Sequence, residues 1–173
     1  ADIDLELKID NTKVIEKMIL DNEIDLGFVE GPIRSKEIIL TPFFDDKLFF
    51  FCSNKHRLKD KNIIKSEELK EENLILREKG SGTREVIKNT LNNYNIQYNP
   101  THILNNIEAI KKAIKANLGI SILPEIAVKK ELEDGSLVKL EIPKINFTRK
   151  FNIIYHKDKY QSKLFNKFIE YIK

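Results

Sequence analysis

The amino-acid sequence predicts an α/β fold, and three observations support that class. Runs rich in β-branched and aromatic residues alternate along the chain with segments whose apolar residues recur at helical spacing. The 173 residues include 41% hydrophobic and 33% charged residues, which fits one globular domain or two small lobes. The longest apolar run, Leu48–Cys52, has five residues, whereas a membrane-spanning helix needs about twenty.

Charge and cysteine content exclude several classes of function. Thirty Lys and Arg residues against 27 Asp and Glu residues leave a net charge of +3, too balanced for a domain that binds nucleic acid through bulk positive charge. Cys52 is the only cysteine, which excludes a disulfide framework and a thiolate zinc site. The unpaired thiol, and a start that lacks the regions of a signal peptide, favour a cytoplasmic location without membrane contact.

The first part of the chain predicts strand, helix and strand. Residues 3–9 alternate between apolar and charged side chains, which is typical of a half-buried strand. Asn11 and Thr12 offer an N-cap for the following amphipathic helix. Residues 25–29 indicate a short buried strand, and the connection is long enough for the two strands to pair in parallel.

Alternation of strands and helices continues to the end of the chain. Two β-rich runs lie within residues 38–53, and the second lacks polar alternation, so we expect it to be covered on both faces. Further strands are expected at residues 74–76, 102–104, 120–123, 137–142 and 151–155, with a loop at 143–148. Helices are expected from a Ser66 cap to about Glu71, after Thr83, from about Asn105, from about Glu125 to Glu133, and at 164–172.

Known catalytic and metal-binding motifs are not found. His56, His102 and His156 are far apart, and none has a companion at ligand spacing. Cys52 has no neighbouring histidine, so a buried inert thiol is the better interpretation. The sequence contains no Walker-A motif, no complete GxGxxG and no GxSxG. We therefore predict no catalytic residue, no metal and no cofactor.

The most informative stretch, residues 76–84, follows a strand and opens a helix. Gly80 and Gly82 allow a tight turn and a close backbone approach to a ligand. The free N–H groups of a first helical turn favour an anion, and Ser81 and Thr83 add hydroxyl donors. The alternative is an ordinary capped helix start with no ligand.

Two other helix starts have the same chemistry. Asn11–Thr12 and Asn105–Asn106 each follow a predicted strand, and ligands of open α/β sheets bind beyond the carboxyl ends of strands. Glu30 and Gly31, after the strand at 25–29, would line the same side. Each polar residue alone is more often a simple cap, but together they predict a shared cleft.

The order of these motifs resembles the effector-binding domain of LysR-type transcriptional regulators. The similarity covers nearly the whole chain, through residues 24–31, 42–58, 77–84, 108–124 and 135–138 and the C-terminal amphipathic helix. The stretch at 77–84 is most similar to the branch related to the regulators of cysteine and sulfur metabolism. The resemblance implies a small anionic effector, bound between two lobes without reaction.

The implied fold is the two-lobed type 2 periplasmic-binding-protein fold, in which each lobe is a mixed sheet flanked by helices. Two crossover strands, at about 48–53 and 151–155, would join lobe I (residues 1–49 and 151–173) to lobe II (residues 50–150). Lobe I would lack the family's first strand and helix. The winged helix-turn-helix of the family is also absent, so we expect contact with promoter DNA only through that missing domain.

The resemblance also implies a ligand site and an oligomer. The expected contacts are Thr12, Glu30 and Gly31 in lobe I, and Ser81, Gly82, Thr83 and Asn106 in lobe II. We further expect a homodimer or tetramer, with the helix that carries Val14 and Met18 as a candidate interface. The alternative is that the apolar stripe of this helix belongs to the core. The alternative function is an extracytoplasmic solute-binding protein that serves a transporter.

Overall fold

Residues 5–61 and 63–172 are described in the computed structural model. The strands are β1 (Gly27–Val29), β2 (Ile38–Ser53), β3 (Asn73–Arg77), β4 (Asn99–Leu104), β5 (Ile120–Pro124), β6 (Leu137–Leu140) and β7 (Phe147–His156). The α-helices are α1 (Thr12–Leu20), α2 (Gly82–Asn93), α3 (Ile107–Lys115), α4 (Lys129–Glu133) and α5 (Lys163–Ile172). Two 3-10 helices lie at Ser66–Glu71 and Glu125–Val128.

Two long central strands organise one mixed sheet. The strand order is β1-β7-β2-β5-β3-β4, and β6 also pairs with β2. The first part of β2 pairs antiparallel with β7, whereas its second part pairs antiparallel with β5 and β6. Strand β3 is parallel to both β4 and β5. Because β2 pairs with β7 in its first part and with β5 and β6 in its second part, it has the place expected of a crossover strand, whereas β7 pairs with β1 and β2. The predicted α/β class is confirmed.

Around these strands the apolar core forms three clusters. Helix α1 packs Ile15 and Ile19 against β1, β2 and β7. The run Phe49–Phe51 lies in the middle of the sheet, where Phe50 joins a cluster with α2 and Phe51 joins a cluster with α3 on the other face. The prediction that this run is covered on both faces is therefore confirmed.

Three helices begin at the polar caps that the sequence predicts. The side chain of Asn11 accepts a hydrogen bond from the N–H of Val14 at 3.2 Å. The side chains of Ser81 and Asn106 cap α2 and α3 in the same way, because each accepts a hydrogen bond from the backbone N–H three residues later. Each cap satisfies one of the N–H groups that a helix start leaves without an intrahelical partner.

The predicted strand at residues 3–9 is wrong where the structure describes it. Residues 5–10 form no strand, and Leu5, Leu7 and Ile9 are 69%, 80% and 98% exposed, while residues 1–4 lie outside the described range. Alternating apolar and charged residues give a strand one apolar face, but a stable strand also needs a neighbouring strand to pair with. No described strand pairs with this segment. The expected parallel pairing is wrong as well, because β1 pairs antiparallel with β7.

The remaining strand differences reflect long-range pairing. The two runs expected within residues 38–53 form one continuous strand, with a shift of register between Pro42 and Phe44. Such an irregularity lets a strand continue past a proline. Strand β7 begins at Phe147, inside the expected loop, because Phe147 pairs with Leu48 on β2.

Two helix predictions are corrected in detail. Lys65, rather than Ser66, is the N-cap of the 3-10 helix, and its N–H donates to the carboxylate of Glu68 at 3.0 Å. The helix expected at residues 125–133 divides into a 3-10 turn and α4. None of the helices in the described residues is both long and apolar enough to cross a membrane.

His56, which follows β2, and Glu72, which precedes β3, form a buried pair. The imidazole Nε2 lies 3.2 Å from a carboxylate oxygen of Glu72, and the N–H of Leu58 donates to Nδ1 at 3.3 Å. Since Nδ1 accepts a hydrogen bond, the ring is neutral in this arrangement. Burial lowers the pKa of His56 below its ordinary value, although the charge of Glu72 acts in the opposite direction.

We expect the free energy of unfolding to fall as pH drops below about 6.5, the ordinary pKa of histidine. In that range the unfolded chain binds a proton at His56 before the folded chain does, so protonation favours unfolding. Urea denaturation between pH 7.5 and 5.5 measures this slope. The dependence of the unfolding free energy on pH should be shallower in His56→Asn and unchanged in the control His102→Asn. Equal slopes in all three proteins would rule out His56 as the cause.

Candidate functional site

Helices α1 and α2 begin face to face. The N–H of Lys13, in the first turn of α1, donates to the carbonyl of Gly80 at 3.3 Å. Gly80 has a φ of +99°, which glycine adopts without the strain of a side chain. Its backbone thus brings the loop before α2 against the first turn of α1. Two helix N-termini, from segments distant in the sequence, converge on one place.

Two glycines make this approach possible. A β-carbon added to Gly31 would lie 2.5 Å from the Cα of Gly82, and one added to Gly82 would lie 2.5 Å from the backbone nitrogen of Gly31. Neither position has room for a side chain unless the backbone moves. The turn after β1 therefore packs directly on the first residue of α2.

The hydroxyl of Thr12 is buried at this junction without a hydrogen-bond partner. Thr12 is 6% exposed, and its Oγ1 makes no hydrogen bond with any described residue. That oxygen lies 3.0 Å from the β-carbon position of Gly31 and 2.6 Å from that of Gly82. An unsatisfied buried hydroxyl costs about 1–3 kcal/mol. A polar ligand at the two helix starts would supply the missing partner.

Beside the junction, Arg149 forms a buried network of charges. Its Nε and Nη2 each lie 2.7 Å from the same oxygen of Asp46, which is opposite it in the β2–β7 register. Its Nη1 donates to Thr83 Oγ1 at 2.7 Å and lies 3.3 Å from a carboxylate oxygen of Glu30. The Thr83 hydroxyl in turn donates to Glu30 at 3.2 Å. The network ties the turn after β1 to the start of α2 through the two long strands.

Sequence reasoning missed Asp46 and Arg149. Both lie in strands, where a charged residue is unusual unless it is paired, and both are more than nine-tenths buried. Asp46 stands between two other charged residues, and Arg149 is followed by Lys150, so the local sequence does not distinguish the buried pair from exposed charges. Their pairing could not be deduced locally, because 103 positions separate them.

A second ion pair stabilises the loop before α2. Arg77 donates to Glu78 through Nε at 2.8 Å and Nη2 at 3.0 Å, and Arg84 donates to the carbonyl of Arg77. Burial raises the pKa of Glu78, but the hydrogen bonds and charge of Arg77, together with hydrogen bonds from its own backbone N–H and from Asn11, hold the pKa below its ordinary value. Glu78 is therefore an anion at neutral pH, and its pair fixes the loop that carries Gly80.

Most of the predicted ligand contacts lie together at this junction. They are Thr12, Glu30, Gly31, Ser81, Gly82 and Thr83. Asn106 is exposed and caps α3, and the hydrogen bonds of its side chain to described residues reach Asn105 and Ala109. The geometry does not connect Asn106 with the other six residues, so its contact with a ligand stays a prediction.

A cavity of about 370 Å³ opens beside the charge network. The turn at Glu30–Pro32, the face of α2 with Asn89 and Asn93, and Lys150 on β7 contribute to its wall. This cavity is shallow and largely open to solvent. Among the residues that the structure describes, no group of three or more His, Cys, Asp or Glu side chains could hold a metal ion.

Comparison with known families identifies the fold. The sequence matches the LysR substrate binding domain over residues 1–173. The chain belongs to this family. A LysR-family relative, the uncharacterized HTH-type transcriptional regulator YeiE of Escherichia coli K12, is 34% identical over 167 residues, which are 96% of this chain and 57% of YeiE. The predicted family is confirmed, and the solute-binding alternative has no support.

Two further LysR regulators define the branch and the architecture. The HTH-type transcriptional regulator CysL of Bacillus subtilis is 26% identical over 154 residues, which are 89% of this chain and 52% of CysL. The regulatory domain of CcmR from Synechocystis PCC6803, solved in complex with 2-PG, superposes with a TM-score of 0.87 at 30% identity. That superposition covers 98% of this chain and 81% of the CcmR chain, and the two-lobed type 2 periplasmic-binding-protein fold is confirmed. The chain spans about half the length of the curated relatives it matches.

We expect Gly82→Ala to lower the free energy of unfolding by about 1–3 kcal/mol, the usual cost of overpacking a close contact. The added methyl group would meet the backbone of Gly31 and the hydroxyl oxygen of Thr12, so α2 must move away from the turn after β1 and from the start of α1. Urea denaturation measures the change. Lys88→Ala, at an exposed position of the same helix, serves as control and should stay within about 0.5 kcal/mol. A Gly82→Ala protein as stable as the parent would show that the contact is absent in solution.

Proposed function

We propose that this LysR substrate-binding domain senses a small anionic metabolite, which binds between the first turns of α1 and α2 and is released unchanged. The buried, unpartnered hydroxyl of Thr12 carries this proposal, because it lies where the two helix starts meet. The expected contacts are Thr12, Glu30, Gly31, Ser81, Gly82, Thr83 and Asn106.

The chemistry of the junction favours a negative charge. Helix N-termini offer N–H groups and the positive end of the helix dipole, and here two of them converge. Ser81 and Thr83 add hydroxyl groups, and Arg149 contributes a buried guanidinium, the side chain best suited to a carboxylate or a phosphate. None of these groups forms a nucleophile–base pair, which favours binding over catalysis.

The CcmR regulatory domain supports the same ligand class. It is 30% identical to this chain and was solved with 2-PG bound, an anionic ligand. A phosphate-bearing acid is therefore a reasonable first probe. The cavity of about 370 Å³ beside the junction would accommodate the rest of such a molecule.

The wider protein would be a transcriptional regulator in the cytoplasm. Its relatives are HTH-type regulators, and promoter DNA would be bound by a DNA-binding part outside the segment described here. We infer lobe I at residues 1–49 and 151–173 and lobe II at 50–150, so that the contact of Gly31 with Gly82 lies between lobes. A homodimer or tetramer would transmit the effector signal, with the face of Val14 and Met18 as a candidate interface.

We expect Thr83→Val to weaken binding of 2-phosphoglycolate, sulfate or phosphate at least tenfold in isothermal titration calorimetry. The isosteric valine removes the hydroxyl that contacts both Arg149 and Glu30, while the volume of the side chain is retained. Thr101→Val, on an exposed stretch of β4, is the matched control and should bind like the parent. Unchanged affinity in Thr83→Val would remove Thr83 from the site, and no binding of any probe to the parent chain would argue against the proposed function.

A further inference from the structure

We propose that the carboxylate of Glu30 is an internal competitor of the anionic effector: it binds Thr83 and Arg149 when the site is empty and is displaced when the effector binds. This inference rests on the proposed function and adds the regulation of that site. In the empty site Glu30 holds Thr83 and Arg149, so of the expected contact residues it is the one whose side chain leaves when the effector binds.

Glu30 is the partner of Arg149 that is most easily displaced. Asp46 accepts from two guanidinium nitrogens at 2.7 Å each and is 7% exposed. Glu30 lies 3.3 Å from Arg149, accepts from Thr83 at 3.2 Å, and keeps 22% of its side chain exposed. Longer contacts and greater exposure indicate that Glu30 is held less strongly than Asp46, because water can replace the hydrogen bonds that Glu30 gives up.

The charges of the network give the competition its direction. Asp46 alone neutralises Arg149, so Glu30 brings the buried network to a net charge of −1. An effector anion near Thr12 would be repelled by that carboxylate unless Glu30 leaves. Departure frees Thr83 Oγ1 and Arg149 Nη1, the two groups that an incoming oxyanion would bind.

The surroundings give Glu30 a place to move. Glu30 forms part of the wall of the 370 Å³ cavity, and Lys150 lies on the same wall. Lys150 is exposed, with its Nζ 3.5 Å from Asp45, so its ammonium group is available to a second carboxylate. Glu30 and Gly31 follow β1, whereas Thr83 is the second residue of α2, so displacement of Glu30 also breaks a contact between these two segments.

Isothermal titration with sulfate and with 2-phosphoglycolate, on the parent chain, Glu30→Gln and Glu85→Gln, tests this inference. Glutamine keeps an acceptor oxygen for Thr83 but loses the competing charge, so we expect Glu30→Gln to bind about tenfold more tightly, as for one hydrogen bond to a charged group. Glu85→Gln makes the same change of charge in the first turn of α2 without touching Arg149. It should stay within about twofold of the parent.

Each other outcome has a definite meaning. If the parent chain binds a probe and Glu30→Gln binds it equally or more weakly, the proposed competition is wrong, whereas the proposed function is still supported. An equal gain in both variants shows an effect of net charge alone and also overturns it. Absence of binding in all three proteins overturns the proposed function itself. If Glu30→Gln does not fold, Glu30→Asp, which withdraws the carboxylate by one methylene, should also bind more tightly than the parent, and weaker binding contradicts the competition.

Discussion

The buried charge of Arg149 is the constraint on which the centre of this protein depends. A guanidinium that is 3% exposed must be neutralised within the fold, because an isolated charge in the interior costs several kcal/mol. Asp46 meets that requirement from the neighbouring strand, at the position directly opposite in the β2–β7 register. A shift of the register by one residue would separate the two charges. The Asp46–Arg149 pair therefore favours the observed register of β2 and β7 over its neighbours.

The remaining donors of Arg149 determine where the site forms. One nitrogen reaches Thr83, which places the first turn of α2 beside the long strands. That placement brings Gly82 against Gly31 and leaves the hydroxyl of Thr12 buried between the two helix starts. The hydrogen bond from Arg149 to Thr83 therefore stabilises the arrangement in which the anion-favouring ends of α1 and α2 meet. The site and the stability of the central sheet share the same residues.

Local features of the fold could be predicted from the sequence, and long-range ones could not. The caps Asn11, Ser81 and Asn106 were recognisable because a cap acts on an N–H three residues ahead. The segment at residues 5–9 alternates between apolar and charged residues like a strand, but it has no described partner strand. The alternation of a segment carries no information about whether another strand lies beside it. Asp46 and Arg149 were missed for a related reason: only the folded sheet reveals that the two charges are neighbours.

Anomalous diffraction from crystals of this domain soaked in selenate tests the central claim most directly, since selenium marks the position of an oxyanion without ambiguity. We expect one strong peak between the starts of α1 and α2, within hydrogen-bond distance of Thr12 Oγ1 and of the Arg149 guanidinium. A peak found only at exposed lysines, with the junction of Gly31 and Gly82 still closed and empty, would contradict it.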